Sequence, residues 1–290
     1  MFEPVDIDPN TFLRQHCTLP ALPEVVGQIQ RQIQGGDADM GKVAQLISGE
    51  PALLAQVLKV VNSAYYGLPG EVTNVRVAIA YLGLNEIYRM VLSLSVINTM
   101  QIEQQDELEA FWFHSFYASL CTKYLAKQYE PHLSFEELWS ASMLHDIGRL
   151  VYLKFFPEHY KKLKAFSKEQ GCLFSEAEMH FSLHSSSFLG ALLCIHWRLP
   201  DNVRKACDLH TLSDFLVAER DGTCTPFQRM ICLGNLLAVL SARQLNDSVK
   251  QQISDTVRKA LDCTEAEFLT IMGDIYELRT EVESFMQQFR

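Results

Sequence analysis

His145 and Asp146 place an imidazole and a carboxylate at one point of the backbone, within the apolar segment Leu144-His145-Asp146-Ile147-Gly148-Arg149. One borderline nitrogen donor beside one hard oxygen donor suits a divalent metal such as Mn, Fe, Ni or Zn. A metal held this way can deprotonate a bound water and polarise a phosphoryl oxygen, which is the chemistry of phosphate-ester hydrolysis. A His-Asp dipeptide is common in chains of this size, so its meaning depends on whether other ligands are supplied elsewhere. No other chemistry competes: there is no Gly-x-Ser-x-Gly elbow, no Walker-type phosphate loop and no dinucleotide fingerprint.

The elements that must position such a pair are helical. In Val43-Ala44-Gln45-Leu46-Ile47, apolar residues at i, i+3 and i+4 mark one face, and Leu53, Leu54, Val57, Leu58 and Val61 continue the pattern after Pro51. Pro51 fits the first position of its helix. Phe113, Phe116, Tyr117, Leu120, Cys121, Tyr124 and Leu125 repeat the spacing, as do Phe268, Ile271, Ile275, Leu278 and Val282 in the stretch 265–290. No segment combines strand alternation with hairpin turns, so the expected fold class is all-α. Breaks are expected at Gly35-Gly36-Asp37, Gly67-Leu68-Pro69-Gly70, Glu130-Pro131-His132, Gly171, Leu199-Pro200 and Asp221-Gly222. The polar, helix-compatible stretch Gln101–Glu107 marks the boundary between an N-terminal helical subdomain, 1–105, and a helical core, 106–290. Because that stretch is short, the two are expected to pack together.

Composition narrows the function classes. Hydrophobic residues make up 48% and charged residues 21% of 290, which allows a sizeable core. No apolar run reaches the ~20 residues a spanning helix needs, and the acidic start Met1-Phe2-Glu3-Pro4-Val5-Asp6 lacks a signal-peptide pattern. A cytoplasmic protein without a membrane role is expected. The 8 cysteines are scattered, with no Cys-x-x-Cys pair, and read mostly as small core residues. The net charge of −10 argues against a nucleic-acid surface. Lys154, Lys161, Lys164 and Lys168 form one local basic stripe, read as a solvated helix face. His16, His132, His159 and His180 read as surface or loop residues, and His196 and Trp197 as packing residues of an apolar helix.

Several phrases in the first half have ordinary structural readings when taken singly. The prolines of Leu19-Pro20-Ala21-Leu22-Pro23 stiffen a helix start. Gly67 in Asn62-Ser63-Ala64-Tyr65-Tyr66-Gly67 caps a helix, and Gly83 in Ala78-Ile79-Ala80-Tyr81-Leu82-Gly83-Leu84 lets two helices approach. Their order, together with Ile47-Ser48-Gly49-Glu50-Pro51-Ala52-Leu53 and the His145-Asp146 phrase, resembles the HDOD family, the "HD-related output domain" of bacterial signalling proteins. The resemblance runs from about Leu19 to at least the Leu236 region. Glu50 departs from the family's usual Asp before the proline, but keeps an acid at the helix start.

The resemblance implies an N-terminal helical subdomain on an HD-type core, and a signalling role in which many members have lost catalytic metal ligands. Residue by residue, it implies His114 as the first ligand, His145 and Asp146 as the central pair, and His184 and His210 as the histidines that two-metal relatives add. Asn235 stands where the closing Asp is expected, Thr211 follows His210 in place of a second histidine, and no Gly-Tyr-Pro phrase follows. A two-ion centre is therefore short of ligands, whereas a single ion on His114, His145 and Asp146 keeps a normal open site.

Three functions follow. The first is a regulatory output module with a degenerate, non-catalytic metal site, whose partner is a signalling protein or a small ligand. The alternative is a metal-dependent phosphohydrolase acting on a nucleotide or phosphate ester, with Asp146 central to catalysis. The third is a metal- or redox-sensing scaffold, for which the cysteines are the only hint.

Overall fold

The structure, a computed structural model, describes residues 21–34, 39–63, 65–242 and 244–287. Every element assigned among them is a helix, as the periodicities require, and contacts divide the chain into two compact units. The expected break at Gly35-Gly36-Asp37, together with His16, Cys17 and the first prolines, lies outside the described residues.

The unit dominated by Pro20–Gln101 holds α1 (Glu24–Gln34), α2 (Met40–Ser48), α3 (Pro51–Val61), α4 (Val75–Leu82) and α5 (Leu84–Thr99). Asp39 caps α2 by accepting from the amides of Gly41 and Lys42, and Pro51 opens α3. Helix α3 stops at Asn62, earlier than Gly67. The Asn62 side chain donates to the carbonyls of Leu58 and Val72 and accepts from the Val72 amide, each at 2.8 or 2.9 Å, which closes the following loop. Gly67 lies inside that loop at φ 56°.

Gly83 joins α4 to α5 at φ 84°, where a Cβ would meet no atom within 4 Å. Its role is thus the left-handed backbone of a 119° bend, and not close helix approach. Helix α5 is buried along most of its length through residues such as Ile87, Met90, Leu94 and Ile97. No single helix among the described residues is long and apolar enough to cross a membrane; α4 and α5 pass that test only as a bent pair.

The unit dominated by Ile102–Val282 is built around α6 (Gln105–Tyr129), which is buried on several sides from Phe111 to Ala126. Residues 101–104 precede it as a non-helical link, with Gln101 at φ 46°, so the polar boundary stretch is helical only from Gln105. After the break at Pro131 come α7 (Phe135–Leu144), capped by Ser134, and α8 (Gly148–Phe155). Then follow α9 (Pro157–Gln170), α10 (Phe174–His180), α11 (Ser186–His196), α12 (Asp201–Asp208), α13 (Leu212–Arg220), α14 (Pro226–Ala242), α15 (Asp247–Leu261) and α16 (Glu265–Gln287).

Helix α6 packs on α7 and α14, α12 packs on α7 and α11, and α8 packs on α11. At the α6–α14 contact a Cβ on Gly234 would fall 2.3 Å from Thr122 Oγ1. Tyr117 and Tyr124 of α6 anchor α16 by donating to the Ile275 carbonyl and the Asp274 carboxylate. The stripe Lys154–Lys168 is not one helix face, because Phe156-Pro157 separates α8 from α9.

The joint between α8 and α11 is tight enough to require a glycine. A Cβ on Gly148 would stand 1.9 Å from the Ser186 carbonyl oxygen and 2.7 Å from the Gly190 nitrogen, both of them backbone atoms. Gly148→Ala must push the two helices apart, and the expected loss is about 3 kcal/mol or more of unfolding free energy in urea titration. An unchanged midpoint would show that this joint yields freely.

Candidate metal centre

The turn between α7 and α8 carries the His-Asp pair. Its i to i+3 bonds, Ile147 N to Leu144 O and Arg149 N to Asp146 O, hold His145 and Asp146 at the buried end of α7. Helix α6 delivers His114 beside them, and the segment after α12 delivers His210. The ring centroids of His114 and His145 are 5.4 Å apart, and those of His145 and His210 are 5.2 Å apart.

Two of these rings are oriented by backbone. His145 Nδ1 lies 2.5 Å from the Ser142 carbonyl and His210 Nδ1 lies 2.9 Å from the Cys207 carbonyl. A carbonyl only accepts, so each Nδ1 carries the proton and each Nε2 faces the centre, the arrangement that orients metal-ligating imidazoles. His145 Nε2 is buried and has no hydrogen-bond partner among the described residues. Leaving such an atom unsatisfied costs about 1–3 kcal/mol, and a metal bond satisfies it. One ligand atom each from His114, His145 and Asp146 lie within 4.8 Å of one another. The donor set and its spacing fit a divalent ion with open positions for water.

Electrostatics keep His145 and Asp146 in their ligating forms. Burial pushes the His145 pKa down to about 4, helped by the nearby His210, so the ring is neutral at pH 7. Burial disfavours the charged form of Asp146, but the Arg149 guanidinium and His210 outweigh it and hold the carboxyl well below the usual range. Arg149 Nε lies 2.8 Å from Asp146 Oδ2 and His210 Nε2 lies 3.3 Å from Asp146 Oδ1. His114 Nε2 approaches Oδ2 at 3.9 Å. Burial opposes a charge on His210, yet the Asp146 carboxylate raises its pKa above the usual value.

The family model for the HDOD domain matches residues 19–212. The chain belongs to the HDOD family. A solved HDOD domain protein of unknown function from Geobacter sulfurreducens is 20% identical, with a TM-score of 0.67 and 96% of each chain covered. A Shewanella amazonensis SB2B protein, provisionally named a phosphohydrolase, is also 20% identical, with a TM-score of 0.68 over 95% of this chain and 97% of that one. An uncharacterized Treponema pallidum protein is 26% identical over 192 residues, which are 66% of this chain but only 37% of its own length. At these identities the solved structures establish the shared all-α fold.

Within this HDOD chain the five histidine and aspartate candidates separate. His114, His145 and Asp146 converge, and His210 holds the second oxygen of Asp146. His184 stands outside the converging group, with its ring stacked on Phe188 at 5.1 Å. Asn235 donates from Nδ2 to the His210 carbonyl at 2.8 Å, a bond that a carboxylate cannot make. His196 is exposed while Trp197 is buried, so only the tryptophan is a packing residue. His132 is exposed, and the exposed His180 stacks on Phe166. Buried Cys121, Cys194, Cys207 and Cys232 are core thiols, and Cys172, Cys224 and Cys263 are partly exposed.

Two residues at the site carried no assigned role in the sequence. Arg149 was legible in principle, because an arginine three residues after Asp146 meets it across one turn. Glu178 had no such signal. It is buried in α10, and its Oε1 accepts the Ser186 amide at the start of α11, 2.9 Å away. Burial drives its pKa up to about 7, against the pull of Arg149.

A carboxyl whose folded pKa lies above the unfolded value binds more protons when folded. Stability from Glu178 is therefore full below about pH 4.5 and falls as pH rises toward 7. Glu178→Gln keeps an acceptor for the Ser186 amide and removes this dependence. In chelator-treated protein, the variant should gain about 3 kcal/mol relative to the parent between pH 4.5 and 7.5. Parallel stability curves over that range would show that Glu178 titrates normally.

Proposed function

We propose that this HDOD chain is a cytoplasmic regulatory output module in which His114, His145 and Asp146 hold a single divalent ion without turning over a phosphoester. A signalling protein or a small ligand is its partner. The observation that carries this reading is the state of Asp146: both of its oxygens already face side chains of the chain, the Arg149 guanidinium at 2.8 Å and the His210 imidazole at 3.3 Å. Asn235 supports it, since its amide serves the His210 backbone where the HD pattern calls for a further carboxylate. The centre thus carries too little negative charge for a two-ion hydrolytic site. The buried free thiols are consistent with a reducing compartment.

A divalent ion bound here would supply Lewis acidity at the end of the adjoining cavity. The protein's own groups would set its surroundings: His145 neutral and oriented by Ser142, Asp146 ionised, and Arg149 beside the carboxylate. A second reading, a phosphohydrolase of the HD superfamily, is favoured by the three ligand atoms lying within 4.8 Å.

Metal content and turnover on the same preparations separate the readings. Protein purified without chelator should carry about one divalent ion per chain, lost in Asp146→Ala. Hydrolysis of bis(p-nitrophenyl) phosphate with added Mn should stay at background in both proteins. Turnover in the parent that disappears in Asp146→Ala would overturn the regulatory reading in favour of the hydrolase.

A further inference from the structure

The metal centre forms one end of a cavity of about 560 Å³ that lies wholly within the unit dominated by Ile102–Val282. His114, Asp146 and Arg149 line that end. Lys164 and Lys168, one turn apart on α9, and Arg279 from α16 line other parts of the same cavity. Against these four cations the lining offers two carboxylates, Glu107 and Asp146, in a chain whose net charge is −10. The basic residues are concentrated where the rest of the molecule is acidic.

Their placement is supported by neighbours. Glu107 at the start of α6 holds Lys164 at 2.5 Å and accepts from the Tyr160 hydroxyl at 3.2 Å. Arg279 Nη1 donates to the Ser241 carbonyl at 3.1 Å. Arg149 lies over the Phe174 ring at 4.6 Å, a cation–π contact that keeps its guanidinium at the cavity wall. Much of the remaining wall is apolar and partly aromatic, with Phe113, Leu153, Phe174 and Leu245 beside the polar Ser167 and Gln244. The volume falls in the range of small-molecule sites, which are largely apolar with a few placed polar groups.

We propose that this cavity binds a small phosphate-bearing molecule with a flat apolar part, its phosphates met by Lys164, Lys168 and Arg279. Glu107 and Asp146 pair with Lys164 and Arg149, which leaves the lining an excess of two positive charges, and phosphate groups present several anionic oxygens to match it. The flat part meets the aromatic wall. This inference deepens the small-ligand side of the regulatory reading and rests on it. It also gives a role to two of the four stripe lysines and withholds one from Lys154 and Lys161, which do not line the cavity.

The test is a fluorescence titration of the full chain with a mant-labelled nucleoside triphosphate, with inorganic pyrophosphate as a second probe. Lys164→Ala/Lys168→Ala should raise the Kd for the nucleotide about tenfold or more, while Lys154→Ala/Lys161→Ala leaves it unchanged. Both pairs alter charge equally, so equal weakening would mean diffuse attraction and would overturn the site. No binding by the parent up to about 1 mM would overturn it too. Pyrophosphate binding as tightly as the nucleotide would remove the apolar wall from recognition and overturn the ligand class. Chromatography of the nucleotide afterwards distinguishes the two levels of the argument. Intact nucleotide supports both, and bound but hydrolysed nucleotide keeps the site while ending the non-catalytic reading.

Discussion

A buried, ionised carboxylate is the constraint on which the rest of the core unit depends. Asp146 is 1% exposed, and an isolated charge so placed costs several kcal/mol. The chain meets that cost with a guanidinium and an imidazole from different elements. Arg149 comes from the first turn of α8, and His210 from the segment after α12. Arg149 reaches Asp146 across one turn, and α8 sits hard against α11, which Gly148 permits by presenting no side chain to Ser186 and Gly190. The Ser142 and Cys207 carbonyls then turn the His145 and His210 rings toward the centre. Glu178 ties down the first amide of α11, so the joint and the site form one connected structure.

The same solution limits what the centre does. A carboxylate neutralised by the chain's own guanidinium attracts a metal ion less strongly than one left for the metal to neutralise. Adding a second ion to this arrangement needs further negative charge, and the position that supplies it in the HD pattern holds Asn235. The amide there is no neutral bystander. It donates to the His210 carbonyl, and so supports the residue that holds Asp146. The departure from the ligand pattern and the internal pairing of Asp146 are thus two parts of one electrostatic arrangement, and the proposed single-ion reading rests on it.

Much of this was legible before any coordinates. Helical periodicity gave the all-α class, Pro51 marked a helix start, and the spaced phrases pointed to the HDOD family. The grouping of His114, His145 and Asp146 was legible because a family phrase fixes which helix carries each. His184 was misleading for the same reason: its phrase fixes its place before α11 but not the direction of its ring, which packing on Phe188 decides. Gly67 and Gly83 were legible as special positions but not for the right cause, since a sequence does not show whether a glycine serves φ or contact. The cavity was not legible at all. Its cations come from residues 149, 164, 168 and 279, brought together only by the packing of α16 on α6.

The net charge of −10 and the basic cavity describe different scales of the same molecule. Exposed charges farther apart than about 8 Å are largely screened at physiological salt, so a bound ligand responds to the groups that line its site and little to the distant surface. A long polyanion is different, because it must lie along many ångströms of surface and meets the acidic exterior as well. The composition therefore argues against an extended nucleic acid without arguing against a small phosphate-bearing molecule. In a cavity walled partly by apolar side chains, the few cations present act through a medium less polar than water, which strengthens each contact. An acidic exterior with a basic cavity is therefore the charge distribution that the proposed small ligand calls for, and a long polyanion is the one it suits least.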